Sequence, residues 1–307
     1  MHFRRVKTLF RRSLPLCFAL DGEYICTMHS AATTGLLDVR LGCEFRYATA
    51  AGNEFLIVVE PMANVGSACC LRSNRSVEPA LPVRDYTDTL GNQCWRITAA
   101  GETLAFRYDA TFSVPDAPDD VNPSAAEDPV SALPDGVLIY TLPSRYCQSD
   151  LLLDEAWRLF GAVTPGYARV QAICDWVHAN IEYDPDSAGP TVSAVDTYFK
   201  RHGVCRDLAH LPAAFCRALN IPARYAFGYL PDYAVEPPGV PMDFHAWFEA
   251  YLGGHWYTFD ARNNIPRIGR VKIAHGRDAV DVAMVTSFGW AQLQSMTVWT
   301  EAAPASI

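Results

Sequence analysis

A cysteine directly behind a glycine and a valine, in the run GVCRDLAHLP at 203–212, stands where a helix is expected to begin. Cysteine attacks as the thiolate, and the unpaired N–H groups and dipole of a helix N-terminus favour negative charge, so the position predicts a lowered pKa for Cys205. Gly203 permits a sharp turn out of the preceding helix, which projects the thiol into a cleft. A nucleophile also needs a base and a group that orients the base. In DFHAWFEAYLGGHWYTFD, 243–260, two strand patterns flank Gly253 and Gly254, a favoured two-residue hairpin loop. That loop sets Asp260 opposite Trp247 and diagonal to His245 on one face, with the diagonal Cα atoms about 7 to 8 Å apart, within reach of an Asp–His hydrogen bond. A loop one residue longer or shorter puts them on opposite faces.

The other candidate side chains have plainer readings. There are ten cysteines, and none forms a C-x-x-C pair of the redox or zinc type. An apolar-flanked cysteine is ordinarily a small core residue, and Cys216, about three turns beyond Cys205 among Phe215, Ala218 and Leu219, reads that way. His255 and His275 read as surface or turn histidines, and His210 as a satisfied helix residue. Cys174 and His178 have the i,i+4 spacing of a metal pair, but no second pair completes a tetrahedral site. DPDSAGP at 184–190 lacks the twelfth-position Glu of a calcium loop. No metal and no cofactor is expected.

The 307 residues are half hydrophobic, enough for a sizeable core in one large domain or two ordinary ones. The formal net charge is -9, and five of the 25 basic residues fall in the first twelve positions, leaving 20 basic against 34 acidic in the body. That excludes the basic footprint of a nucleic-acid binder. The apolar run SLPLCFAL ends at Asp21 after about seven residues, at the short limit for a signal-peptide core and far too short to span a membrane. Residues 1–33 are read as a poorly ordered extension, with Met28 a second possible start. Scattered thiols in a chain of this size point to the reducing cytoplasm.

From Leu37 to Tyr47 apolar and polar residues alternate, the period of a half-buried strand. FLIVVE at 55–60, CWRITA at 94–99 and TLAFRYDATFSV at 103–114 continue the pattern, with AAGE at 99–102 as a hairpin turn between the last two. Residues 34–114 are therefore expected to form an antiparallel β-sandwich. Residues 115–148, rich in Pro, Asp, Ser and Ala, read as a linker rather than a packed element. Residues 149–307 carry helices first, starting after Ser149 or Asp150, after Thr164–Pro165, after Ser193 and at Cys205, and then the aromatic strands ARYAFGYL, FHAWFEAY and HWYTFD. The whole is an α+β chain.

GVCRDLAHL, CRALNIPARYAFGYL and DFHAWFEAYLGGHWYTFDARN together resemble the catalytic core of the transglutaminase-like cysteine peptidase superfamily, in the bacterial branch with an N-terminal β domain. LPSRYCQSD, RVQAICDWVHANIEY and GRDAVDVAMVTSFG resemble that branch too, and the likeness runs from about Leu37 to Val298. It implies a papain-like, transglutaminase-like core in which Cys205, His245 and Asp260 form a catalytic triad. Pro212 departs from the pattern: it removes the hydrogen bond to the Leu208 carbonyl and predicts a kink, while the first turn, which holds Cys205, lies upstream.

The expected chemistry is acyl transfer on a peptide or protein substrate. A Cys205 thiolate paired with protonated His245 attacks a carbonyl, Asp260 holds the imidazole tautomer, and water or an amine resolves the thioester. The Cys205 N–H and a second donor, with Tyr183 and Trp176 as candidates, hold the oxyanion. The resemblance favours peptide or amide hydrolysis over protein-glutamine amine transfer. The rivals are a non-catalytic protein-binding module, for which Pro212 and the strand aromatics speak, and a transferase using a small acyl donor, as arylamine acetyltransferases do. Neither a nucleic-acid nor a membrane partner is expected.

Overall fold

The structure, a computed structural model, describes residues 18–20, 23–25, 35–62, 68–236, 239 and 241–303. Most of the expected extension, 1–33, therefore lies outside the described residues; within it β1 (Phe18–Leu20) and β2 (Glu23–Ile25) form an antiparallel pair. Then follow β3 (Leu36–Thr49), β4 (Glu54–Ile57), β5 (Cys69–Glu78), β6 (Arg84–Thr87), β7 (Gln93–Thr98) and β8 (Thr103–Pro115). The period of two in β3 has the expected outcome: Val39, Leu41, Cys43 and Phe45 are buried, while Asp38 and Arg46 are exposed.

With β15 (Val285–Ser287) and β16 (Ala291–Ala302), strands β3 to β8 make two four-stranded sheets, β16-β3-β8-β5 and β15-β4-β7-β6. AAGE is not a hairpin, because β7 and β8 lie in different sheets. Each presents an apolar face to the other sheet, so they meet by packing: Trp95 of β7 sets its ring edge against Phe106 and Tyr108 of β8 at 6.3 and 6.1 Å. The last two strands, β15 (Val285–Ser287) and β16 (Ala291–Ala302), fall within the 149–307 segment but pair with β4 and β3 of the sandwich. The chain thus leaves the sandwich and returns to it.

The segment 115–148 is packed, contrary to its reading as a linker. It holds α1 (Asp135–Leu138), buries Leu133, Val137 and Tyr140, and stands the Tyr140 ring edge-on to Trp256 at 5.3 Å. Glu127 accepts from the Gly166 N–H and from Arg169, and Pro118 bridges to Ile268. Single anchors and charge pairs hold it, so no periodic pattern marks it.

Next come α2 (Leu153–Phe160), α3 (Tyr167–Asn180), β9 (Glu182–Tyr183), α4 (Ala194–Lys200), β10 (His202–Gly203) and α5 (Cys205–Ala218). Ser193 caps α4 in a reciprocal pairing with Asp196, as the sequence suggests. Buried from Asp207 to Ala218, α5 is the central helix, and it runs unbroken through Pro212. The third sheet, β13-β12-β11-β14, comprises β11 (Ala223–Tyr229), β12 (His245–Leu252), β13 (His255–Phe259) and β14 (Val271–Gly276). Phe248, Ala250 and Leu252 pack among the helices with Phe215 and Leu211, whereas Tyr225, Phe227, Tyr229, Val271 and Ile273 join the core of the sandwich. The Tyr229 hydroxyl donates to the Val59 carbonyl at 3.0 Å across that junction. No described helix is long and apolar enough to cross a membrane.

Two histidines lie deep in this frame. His210 is fully buried in α5, stacked on Tyr146, and its Nε2 accepts from the Ala279 N–H at 3.1 Å. His275, expected on the surface, is 8% exposed because β14 is covered on both faces. Burial, aided by Arg206 and Arg217, pushes the His210 pKa well below the usual 6.5; burial, then Arg224 and Lys272, brings His275 down to about 3. Both must bind a proton on unfolding in acid, so their contribution is complete above pH 6.5 and is lost as pH falls toward the folded values. Urea titrations should therefore show stability falling below pH 6.5, by up to about 1.4 kcal/mol per pH unit for each histidine. His275→Gln should remove about one proton from that slope; an unchanged slope would contradict the assignment.

Candidate active site

The start of α5 is fixed by a buried acid. Val204, the N-cap, has no acceptor side chain, and its N–H donates instead to Asp207 Oδ2 at 3.1 Å, while the Asp207 and Leu208 N–H groups return to the Val204 carbonyl. Asp207 is fully buried and paired with Arg206 at 2.9 Å. Gly203 is required here because a Cβ on it would stand 2.8 Å from the Asp207 Cβ. In the parallel pair of β9 and β10, Gly203 sits beside Tyr183, which brings Tyr183 alongside the first turn of α5. The N–H groups of Cys205 and Arg206 belong to that turn and have no intrahelical acceptor.

His245 and Asp260 come from the β12–β13 hairpin. Gly253 and Gly254 have φ of 56° and 82°, the left-handed values that a tight two-residue loop demands. The resulting register pairs Leu252 with His255 and Phe248 with Phe259, as the loop predicts. It carries Asp260 to the face of His245, and His245 Nε2 donates to Asp260 Oδ2 at 2.7 Å. Both side chains are nearly buried. Nε2 is thereby occupied, and Nδ1 is the nitrogen left to serve Cys205. The N–H of Ala246, the residue after His245, is directed at the Cys205 sulfur. The thiol therefore lies against the backbone at the start of β12, the strand that His245 opens.

Around this pair stand residues that the sequence did not single out. Asn263 donates to Asp260 Oδ2 from its amide at 2.9 Å and to Oδ1 from its backbone at 3.2 Å. Arg270 donates to Asp260 Oδ2 at 3.2 Å, lies over the Trp247 ring at 4.5 Å, and is itself held by Asp119 of the supposed linker at 3.0 Å. From beneath, Cys174 receives the Asp260 backbone N–H, and His178 Nδ1 donates to the Ala261 carbonyl at 2.9 Å. The spacing that suggested a metal pair serves to hold residues 260 and 261. Arg262 stacks on the Tyr183 ring at 3.9 Å and approaches His245 Nδ1 to 3.5 Å. Arg262 and Asn263 lie two and three positions beyond Asp260, close enough for sequence proximity to have pointed to them, but Asp119 has no local signal, since it reaches Arg270 across 151 positions.

The other oxyanion candidate lies elsewhere. The Trp176 ring is packed between Phe160, Tyr198 and Phe215 within the helical core and capped by Arg201. The side of α3 that it occupies faces α4 and α5.

Burial alone would raise the Asp260 carboxyl, but the charge and hydrogen bond of His245, together with Arg270 and Asn263, outweigh it and hold the group well below the usual carboxylate range. Burial lowers His245, Asp260 offsets only part of this, and Arg270 and Arg262 push the same way. Cys205 keeps part of its surface open, yet the protein crowds its thiol: burial raises it, the Ala246 N–H and Arg262 pull it back, and Asp243 and Asp260 push it up. The expected lowering of the Cys205 pKa is thus reversed, because desolvation of a thiolate outweighs what the helix terminus supplies. Both shifts run toward the uncharged form, of the thiol and of the imidazole alike.

The sequence model of the Transglutaminase-like superfamily matches residues 156–261, the interval that contains all three residues of the Cys205–His245–Asp260 constellation. A crystal structure from Cytophaga hutchinsonii, named a "Putative Cysteine Protease", is 34% identical, covers 89% of this chain and 93% of its own, and superposes with a TM-score of 0.78. An uncharacterized protein of Mycobacterium leprae (strain TN) is 35% identical over 117 residues, 37% of this chain; the match spans 42% of that protein.

The site geometry fixes what a nitrogen-edited NMR titration should show. At pH 7 His245 should carry its proton on Nε2 and none on Nδ1, and it should titrate below 6.5. Asp260→Asn, which removes the charge that raises the imidazole, should lower the titration point further. A rise would mean that Asp260 does not face the ring.

Proposed function

The chain belongs to the transglutaminase-like superfamily, and on that footing we propose that it is a cysteine-dependent acyl-transfer enzyme that hydrolyses peptide or amide bonds through Cys205, His245 and Asp260. The observation that carries the reading is the His245 Nε2 to Asp260 Oδ2 bond of 2.7 Å, which leaves Nδ1 free of Asp260 on the residue next to Ala246, whose N–H meets the Cys205 sulfur at a helix start.

In the proposed acylation the Cys205 proton passes to His245 Nδ1 as the sulfur bonds to the substrate carbonyl carbon. Concerted transfer replaces the preformed ion pair, since burial disfavours both charged partners at rest. The imidazolium that forms is stabilised by Asp260, whose charge stays fixed through the cycle. The developing oxyanion is met by the unpaired N–H of Cys205, with Tyr183 as the side chain positioned beside that turn. When the tetrahedral species collapses the C–N bond breaks, the amine takes the proton from Nδ1, and a thioester remains on Cys205. Water, deprotonated by Nδ1, then releases the acid and restores the thiol. An amine in place of water gives transamidation by the same steps, so the acceptor alone separates the two outcomes.

Peptide and amide libraries read by mass spectrometry should yield Cys205-dependent cleavage, with an acyl adduct on Cys205 in rapidly quenched samples. Cys205→Ala and His245→Ala should each lower kcat by about 10³-fold or more. Cleavage that survives Cys205→Ala would sink the proposal. Labelling by iodoacetamide should be slow near pH 6 and keep accelerating above pH 9, as a raised thiol requires. A plateau near pH 6 would restore the preformed ion pair.

A further inference from the structure

We propose that Arg262 is a substrate-reading residue that recruits a carboxylate on the group bound next to Cys205. This deepens the acyl-transfer reading and rests on it. Arg262 follows Asp260 by two positions, in the turn that leaves the β13 strand, and its guanidinium lies against the exposed ring of Tyr183 at 3.9 Å. Among the described residues no carboxylate comes within 4.0 Å of it, whereas Arg206, Arg224, Arg267, Arg270 and Arg277 each have one. Its single hydrogen bond among them goes to His245 Nδ1 at 3.5 Å, well beyond the usual 2.7–3.2 Å, so little is lost when it turns to another acceptor. Asp243, exposed on the same rim, feels the charge of Arg262 but forms no ion pair with it within 4.0 Å.

The placement has a consequence for the base. While Arg262 points at Nδ1 it competes for the lone pair that must take the thiol proton. An incoming carboxylate offers the guanidinium two oxygens in a geometry it matches, and Arg262 leaves Nδ1 to take them. The Tyr183 ring holds the flat cation at the mouth of the site in both positions. An acidic group on the substrate would thus be bound and would release the base in one movement, whereas a neutral amide in its place would do neither.

Iodoacetate and iodoacetamide differ by that charge alone and report on it without a known substrate. The full-length protein is labelled at pH 9.5, where His245 is neutral, and the rate at Cys205 is read by peptide mass spectrometry. Each rate is divided by that of 2-mercaptoethanol, a neutral thiol. Wild type should favour iodoacetate over iodoacetamide by about tenfold on this scale. Arg262→Gln should bring the ratio to that of the neutral thiol, and Arg262→Lys should retain most of the preference. A wild-type ratio no higher than that of 2-mercaptoethanol, or one unchanged in Arg262→Gln, overturns the role of Arg262 and leaves the acyl-transfer reading intact. Failure of Cys205 to react with either reagent overturns both.

Discussion

Asp260 is a buried carboxylate, and much of the site exists to keep it charged. An isolated ionised group in the interior is costly enough that it would take up a proton, so its charge survives only where opposite charge and hydrogen-bond donors surround it. Here the donors are His245, Asn263 and Arg270. Arg270 is itself buried and needs a counter-charge, which Asp119 supplies. Each partner has its own support, and the chain of requirements runs from the nucleophile helix out to a segment that contains almost no regular structure. The 115–148 stretch is therefore part of the site's foundation.

The same requirement explains why the third sheet is covered on both faces. A bare sheet face would let water solvate Asp260 and weaken its hold on His245. Helices α3 and α5 close one side, with Cys174 and His178 pinning residues 260 and 261. The sandwich closes the other through Tyr225, Phe227 and Tyr229, and its own closure depends on β15 and β16 returning from the far end of the chain. Buried Glu249, two residues beyond Trp247 on the same strand face, is held ionised by Lys272 and Arg224 against the same burial cost. Two buried carboxylates carried by the β12–β13 hairpin each bring their own cations, and the cleft beside Glu249 is lined by Asp119, Trp247, Arg270 and Lys272.

How much of this was legible depends on the range of the interaction. The β12–β13 register followed from two glycines, because a tight loop between strands fixes which residues face each other, and that alone joined His245 to Asp260. Cys205 at the helix start was legible from Gly203 and the apolar pattern beyond it. The sandwich strands were legible from their alternation, but the sheet each one joins was not: β7 and β8 follow one another closely and still part into opposite sheets. Trp176, named as an oxyanion candidate, packs instead among Phe160, Tyr198 and Phe215, neighbours that only the folded chain brings to it. Asp119 was invisible, since a single carboxylate in a Pro- and Asp-rich stretch looks the same whether it is solvated or holds an arginine 151 positions away.

The electrostatics depart most instructively from the sequence argument. A helix N-terminus favours a thiolate by an amount typical of a partly solvated charge, and that was the basis for expecting a poised Cys205. The folded site adds the Ala246 N–H and Arg262 in the same direction, yet burial and the acids Asp243 and Asp260 outweigh them. Burial acts on both members of the pair, lowering His245 while raising Cys205. Separating their charges at rest would therefore meet two desolvation penalties, whereas moving one proton as the sulfur bonds to carbon never leaves a bare thiolate. On the proposed mechanism, burial keeps the Cys205 thiol protonated until its sulfur bonds to a carbonyl carbon. Such a thiol is also slow to oxidise or alkylate adventitiously, since the thiolate is the reactive form. Burial of the thiol itself, more than Asp260 or the helix that carries Cys205, sets the direction of its shift.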